Sequence, residues 1–172
     1  MIPYSVILRF GPSLVTEIDP SLEYVRKLNS RVHHVRKNGE DQIFRFGTIM
    51  FKRTLEREIM GLELAKGNPV PKVEEVYCQN GDRIALRKTF IPGREFNMAT
   101  DQHLKSQAYE LVRRIHAVGV SYLDLKVDNM IVNENGLHLP DFDFVSIKGF
   151  FGDYKLHRDY DNECLIRIFG KR

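Results

Sequence analysis

Pro92-Gly93 divides this chain of 172 residues into two parts with different hydrophobic periods. Proline supplies no backbone donor and glycine no side chain to pack, so the pair punctuates regular structure. Before it, apolar runs are short, rich in β-branched and aromatic residues, and bounded by turn residues, as in strands. After it, apolar residues recur three and four apart, as on one face of a helix. A strand-rich part followed by a helix-rich part is an α+β layout with a cleft.

Strands are predicted at 4–10, closed by Gly11-Pro12, and at 24–28, 31–36 and 42–46. Asn38-Gly39 is the strongest turn signal, because both residues tolerate the positive φ of a tight hairpin. A helix over 49–65 follows, with Leu55, Ile59, Leu62 and Ala65 at helical spacing and Lys66-Gly67-Asn68-Pro69 as its stop. A second hairpin pairs 70–78 with 83–91 across Gln79-Asn80-Gly81-Asp82. In the second part, a helix over 101–118 lines Leu104, Ala108, Leu111, Val112 and Ile115 on one face, with Gly119 as its cap. Short strands at 130–132 and 137–139 turn at Asn135-Gly136, and a last helix spans 159–169.

Composition narrows the functional classes. With 11 Phe and 7 Tyr, the chain has enough apolar surface to offset ordering entropy. A net charge of +3 does not announce a nucleic-acid binder. Cys78 and Cys164 have no Cys or His at ligand spacing, which argues against a disulfide scaffold or zinc site. No apolar run approaches the ~20 residues that span a bilayer. The opening residues lack a basic start and an apolar core, so no secretory signal is read there, and a cytoplasmic location is expected.

The chemistry-bearing residues lie between the 101–118 helix and the last helix. Asp124-Leu125-Lys126-Val127-Asp128-Asn129 precedes one short strand, and Asp141-Phe142-Asp143 follows the next. Adjacent strand ends bring two carboxylates and an amide towards one point, the arrangement that metal-assisted phosphoryl transfer needs. One carboxylate orients an attacking hydroxyl, and the other joins the amide as oxygen donors suited to Mg²⁺. A lysine two residues after the first carboxylate neutralises phosphoryl charge.

Tyr122-Leu123-Asp124-Leu125-Lys126-Val127-Asp128-Asn129 resembles the catalytic loop of the protein-kinase-like superfamily, and Asp141-Phe142-Asp143 resembles its D-F-G motif with Asp in place of Gly. Residues 115–120 resemble the lead-in to that loop. The resemblance implies a two-lobed fold in a single domain, an N-lobe over 1–92 with one helix and a reduced helical C-lobe over 93–172. It also implies an ATP- and Mg²⁺-dependent kinase. In that reading Asp124 is the base, Lys126 the phosphate neutraliser, and Asn129 and Asp141 the metal ligands. Arg45 stands at the strand position of the family's lysine, with Glu58 as its helix partner, while Thr89 and Ile91 belong to a hinge meeting the adenine. The compact form is similar to RIO-type kinases, the kinase subunit of the KEOPS complex and lipopolysaccharide-core sugar kinases. The acceptor implied is a hydroxyl of a protein, sugar or glycolipid, the last placing the chain beside the inner membrane.

The chain departs from the family pattern in several places. Arginine replaces the strand lysine, and Leu28-Asn29-Ser30-Arg31-Val32 stands where a glycine-rich loop is expected. Leu123 replaces the arginine that grips an activation-segment phosphate, so switching by that phosphorylation is not expected. Two rivals stay open: a non-catalytic kinase-like interaction module, motivated by Arg45 and the absent glycine loop, and a small-molecule phosphotransferase of the aminoglycoside/choline type, favoured by Asp143 but disfavoured by Lys126. His33 and His34, adjacent on a strand, are read as one core and one surface residue rather than a metal pair. His116 is read as structural. Arg31, Arg36, Lys37, Lys52, Arg53 and Arg57 form a basic face, either solvated or meeting an anionic partner.

Overall fold

A computed structural model of the chain describes residues 12–47, 52–79, 81–121 and 123–171. The strand predicted at 4–10 and the helix start predicted at Ile49 lie outside them. The chain divides into two compact units, one of residues 1–56 and 73–90, the other of 57–72 and 91–172.

The first unit is built on five antiparallel strands, β1 (Glu23–Lys27), β2 (Val32–Lys37), β3 (Glu40–Phe46), β4 (Val73–Gln79) and β5 (Asp82–Thr89), in the order β1-β2-β3-β5-β4. The β2–β3 hairpin turns on Asn38 (φ 53°) and Gly39 (φ 84°), the left-handed pair that its register, Lys37 opposite Glu40, requires. A short helix, α1 (Pro12–Ile18), was not foreseen from the sequence. Proline at a first helical position has a ring pre-set for the helix and no amide to leave unpaired. Leu14 and Val15 of α1 bury against Leu22, Val35, Phe44, Phe46 and Ala85.

A polar cluster fastens α1 to the sheet. The Tyr77 hydroxyl donates to Asp19 Oδ2 (2.7 Å), and Lys37 Nζ reaches the same oxygen at 3.2 Å. Arg87 donates to Tyr77 Oη (3.2 Å) and to Glu75 (2.6 Å). Burial alone would raise the Asp19 carboxyl, but hydrogen bonds from Ser21, Tyr77 and Lys37 outweigh it and hold the group well below the usual range.

Alternation puts His33 and His34 on opposite faces, yet both are buried, so the core-and-surface reading fails for His34. Both faces of β2 are covered. The His33 ring packs between Tyr24 and Phe46, and burial, with Lys27 nearby, pushes its pKa down. The His34 ring stacks on Phe90 at 4.7 Å, and its Nε2 pairs with Asp41 Oδ1 at 3.0 Å.

Helix α2 (Lys52–Leu64) is shared: residues through Glu56 belong to the first unit and the rest to the second. The second unit adds β6 (Arg94–Glu95), α3 (Lys105–Ala117), β7 (Val120–Ser121), β8 (Ile131–Asn133), β9 (Gly136–His138), β10 (Ser146–Ile147) and α4 (Tyr154–Phe169). Strands β6, β8 and β9 form one small sheet, and β7 pairs with β10. Helix α4 begins five residues before its predicted start, where Asp153 accepts a hydrogen bond from Leu156 N (3.0 Å) as an N-cap. Leu111, Val112 and Ile115 of α3 are buried, as are Leu165 and Phe169 of α4. Phe96 meets Phe169 edge-on at 5.0 Å.

Candidate active site

The β8–β9 hairpin organises the site. Ile131 stands opposite His138, so residues 129 and 140–141 flank its open end, the expected route by which two distant segments meet. Gly93 anchors the strand behind: a Cβ there would stand 2.6 Å from both Ile131 Cγ2 and Val132 O, so only glycine admits β6 alongside β8. Phe96 N donates to Met130 O (2.9 Å), and Arg94 grips the buried Asp101 through two hydrogen bonds of 2.6 and 2.7 Å.

Asp124 is held in the left-handed region at φ 45°. For a residue with a Cβ this conformation costs roughly 1–2 kcal/mol, so its surroundings must enforce it. Two contacts do so. Asn129 Nδ2 donates to Asp124 Oδ2 (2.8 Å) and to its backbone oxygen (3.1 Å), and Lys126 Nζ donates to Oδ2 (2.8 Å). The turn Val127–Asn129 aims Asn129 back, with Asn129 N bonded to Lys126 O at 3.0 Å. The hydrogen bond to Asp124 raises the Lys126 pKa, with the charges of Asp141 and Asp128 adding to it. Asp124, Lys126 and Asn129 are thus in direct contact, and Asp141 lies within electrostatic reach. One oxygen of Asp141 accepts from Asp143 N at 3.0 Å, closing a tight turn.

Sequence reasoning missed what holds the loop from below. Asp161 of α4, wholly buried, accepts from Leu123 N (2.9 Å) and pairs with His116 Nε2 of α3 (2.8 Å). The structural role expected for His116 is this contact. An Asp inside an amphipathic helix, flush with its apolar face, was the available signal.

Gly61 of α2 sets the approach to the Asp141-Phe142-Asp143 segment. An added Cβ would lie 2.8 Å from Val145 Cγ2 and 3.2 Å from Phe142 Cδ1, both side chains fully buried. Gly61→Ala gains about 1 kcal/mol of helix propensity but loses about 1–3 kcal/mol to overpacking, so a net destabilisation of about 1 kcal/mol is expected in urea unfolding. A stabilised variant would show that the approach is not tight.

The remaining residues are placed as follows. Arg45 lies on β3, 4% exposed, on the sheet face shared by Val32 and Leu86; it is not an exposed strand arginine. Lys88, also buried, occupies the same face opposite Ile43, and sequence reasoning overlooked it. Glu58 of α2 is fully buried, not on a solvated helix face. Thr89 ends β5 opposite Gln42, and Ile91 follows it as the first residue of the last stretch of the second unit; both are half-buried. Part of the basic face is internally paired: Arg36 with Glu23 and Asp41, Lys37 with Asp19 and Glu75.

The turn between β1 and β2 departs furthest from a phosphate cradle. Asn29 Oδ1 accepts from Arg31 N (2.9 Å) and Val32 N (3.0 Å). Leu28 N and Asn29 N both bond Val32 O, at 2.9 and 3.1 Å. Four backbone donors of this turn are therefore spent inside it.

Oxygen donors dominate the loop cluster. Among the described residues no three carboxylate, histidine or cysteine groups converge as a metal cage. Mg²⁺ does not need one, since it binds through one or two carboxylates with phosphate and water completing the shell. Asn129 commits its amide nitrogen to Asp124, which leaves the amide oxygen as its remaining donor, and Asp141 supplies a carboxylate. The residues present fit that ion.

A solved structure, the PK-1 kinase of Cydia pomonella granulovirus, is similar to this chain with a TM-score of 0.61 and 16% identity, over 80% of this chain and 56% of the viral one. The fold is protein-kinase-like. Among curated proteins, protein kinase PINOID 2 of Arabidopsis thaliana is 31% identical over 68 residues, 39% of this chain and 13% of the plant protein. The chain thus spans about half of the viral kinase chain and a small part of the plant kinase. No protein-family model matches it. Among the described residues, no helix is long and apolar enough to cross a membrane.

Proposed function

We propose that this chain is an ATP- and Mg²⁺-dependent phosphotransferase acting on a hydroxyl. The observation that carries the reading is Asp124, strained to φ 45° and fixed by Asn129 and Lys126. A carboxylate held this way accepts the proton of a bound hydroxyl and aims its oxygen. Lys126 is exposed enough to turn from Asp124 to a transferring phosphoryl group. Asn129 and Asp141 would hold Mg²⁺, which supplies charge neutralisation for the phosphates when bound. As the resemblance implies, Arg45 and Glu58 would serve the triphosphate, and Thr89 and Ile91 the base. The acceptor is a protein, sugar or glycolipid hydroxyl.

Calorimetry with Mg·ATP tests this. The wild type is expected to bind and Asp141→Asn to lose binding or turnover, because an amide replaces a carboxylate ligand to a hard cation. Wild-type affinity and turnover in Asp141→Asn would remove the metal assignment.

The self-closed turn at Asn29 favours a second reading, a kinase-like interaction module that does not turn over ATP. Arg45 separates the two. In the enzyme, Arg45→Ala lowers ATP affinity or transfer by about one to two orders of magnitude, the worth of a hydrogen bond to a charged group. Arg45→Lys then restores much of the loss. In the module, neither variant changes nucleotide binding, and buried Arg45 shows only in thermal unfolding.

A further inference from the structure

We infer that the groove between α3 and α4 is a binding site for a small organic phosphate monoester. The groove encloses about 360 Å³ and is lined by Tyr109, Arg113, His116, Tyr154, Arg158 and Asn162, with Ala117 at its wall. That volume lies in the range of small-molecule sites. Two guanidinium groups come to it from different helices, and no lining residue is acidic.

The two positive charges are committed to different degrees. Arg113 uses Nε and Nη2 on Glu110, at 2.8 and 2.6 Å, which leaves its Nη1 edge as a donor. Arg158 makes one long contact, 3.4 Å, to the neighbouring Asp159, and both partners are solvent-exposed. Exchanging such a contact for a phosphate costs little, and arginine presents its donors in a fork that matches phosphate oxygens.

The aromatic side chains are fixed by different bonds. Tyr109 Oη donates to Gly170 O (2.8 Å), and Tyr154 Oη donates to His116 O. With their hydroxyls spent on backbone, the two rings and Ala117 provide apolar surface beside the cations. A bare anion leaves that surface unused; a phosphate carried on a ring-sized body covers it. His116 is common to this groove and to the Asp161–Leu123 tie, so the site adjoins the loop bearing Asp124 without containing it.

Phenyl phosphate, inorganic phosphate and phenol are the probes, titrated into the full chain by calorimetry and by NMR of the arginine Nε–H signals. Phenyl phosphate is expected to bind saturably and more tightly than either other probe, shifting the Arg113 and Arg158 signals. Arg113→Ala and Arg158→Ala, both exposed substitutions, should each weaken it roughly tenfold or more without altering unfolding. Asp141→Asn should leave it unchanged, which separates this site from the proposed nucleotide site. Absence of saturation, unchanged affinity in both arginine variants, or displacement by ATP in proportion to its own binding would overturn the assignment. Equal affinity for inorganic phosphate would reduce the groove to a bare anion contact and overturn the organic ligand. Much tighter binding of a phosphotyrosine peptide would assign it to a protein partner instead.

Discussion

Asp161→Ala is expected to destabilise the fold by about 2–6 kcal/mol, because two buried groups that bond its carboxylate are left unsatisfied at about 1–3 kcal/mol each. Leu123 N and His116 Nε2 both bond this carboxylate, whose side chain has 0% exposure. Urea unfolding with an unchanged slope would give the loss directly. Asp161→Asn keeps an oxygen for Leu123 N, so most of the stability should return. A loss below ~1 kcal/mol in Asp161→Ala, no more than an ordinary hydrogen bond, would show that the loop is held elsewhere.

Asp124→Asn acts on the chemistry instead. Transfer is expected to slow by about two to four orders of magnitude, the usual contribution of a positioned acid or base. Mg·ATP affinity should stay within about threefold, since the proposed metal donors are Asn129 and Asp141. The asparagine retains an oxygen to accept from Asn129 and Lys126, so the loop keeps its shape while the proton acceptor is lost. Single-turnover rates and calorimetry on the same preparation separate the two effects. If binding and rate fall in parallel, Asp124 only supports the loop.

These two variants probe parts of the site that differ in legibility. Asp124, Lys126 and Asn129 were readable because all three lie within six residues, and a tight turn brings them together with no help from distant chain. The Asn38-Gly39 hairpin was readable for the same reason: a two-residue turn with positive φ has few solutions. Helices α2 and α3 showed their apolar faces over three or more turns, enough for a period to emerge. Helix α1 has only seven residues with two of them buried, too short for any period. Strands β6, β7 and β10 have two residues each, so only pairing defines them.

The sequence by itself determined the α+β layout, the three hairpins, and the two segments that carry the candidate chemistry. Each depends on neighbours in the chain, where backbone preference and side-chain period act without tertiary contacts. Only the tertiary structure decided that Arg45 and Glu58 are buried, because burial depends on what covers a face and not on which residues alternate along it. It also decided that Asn29 consumes the donors of its own turn, since a side-chain amide chooses among partners only once the chain is folded. The Asp161–His116–Leu123 tie lies deepest in that class. Its members are 38 and 45 residues apart, and their meeting requires α3, α4 and the loop to be set at one depth and one helical phase.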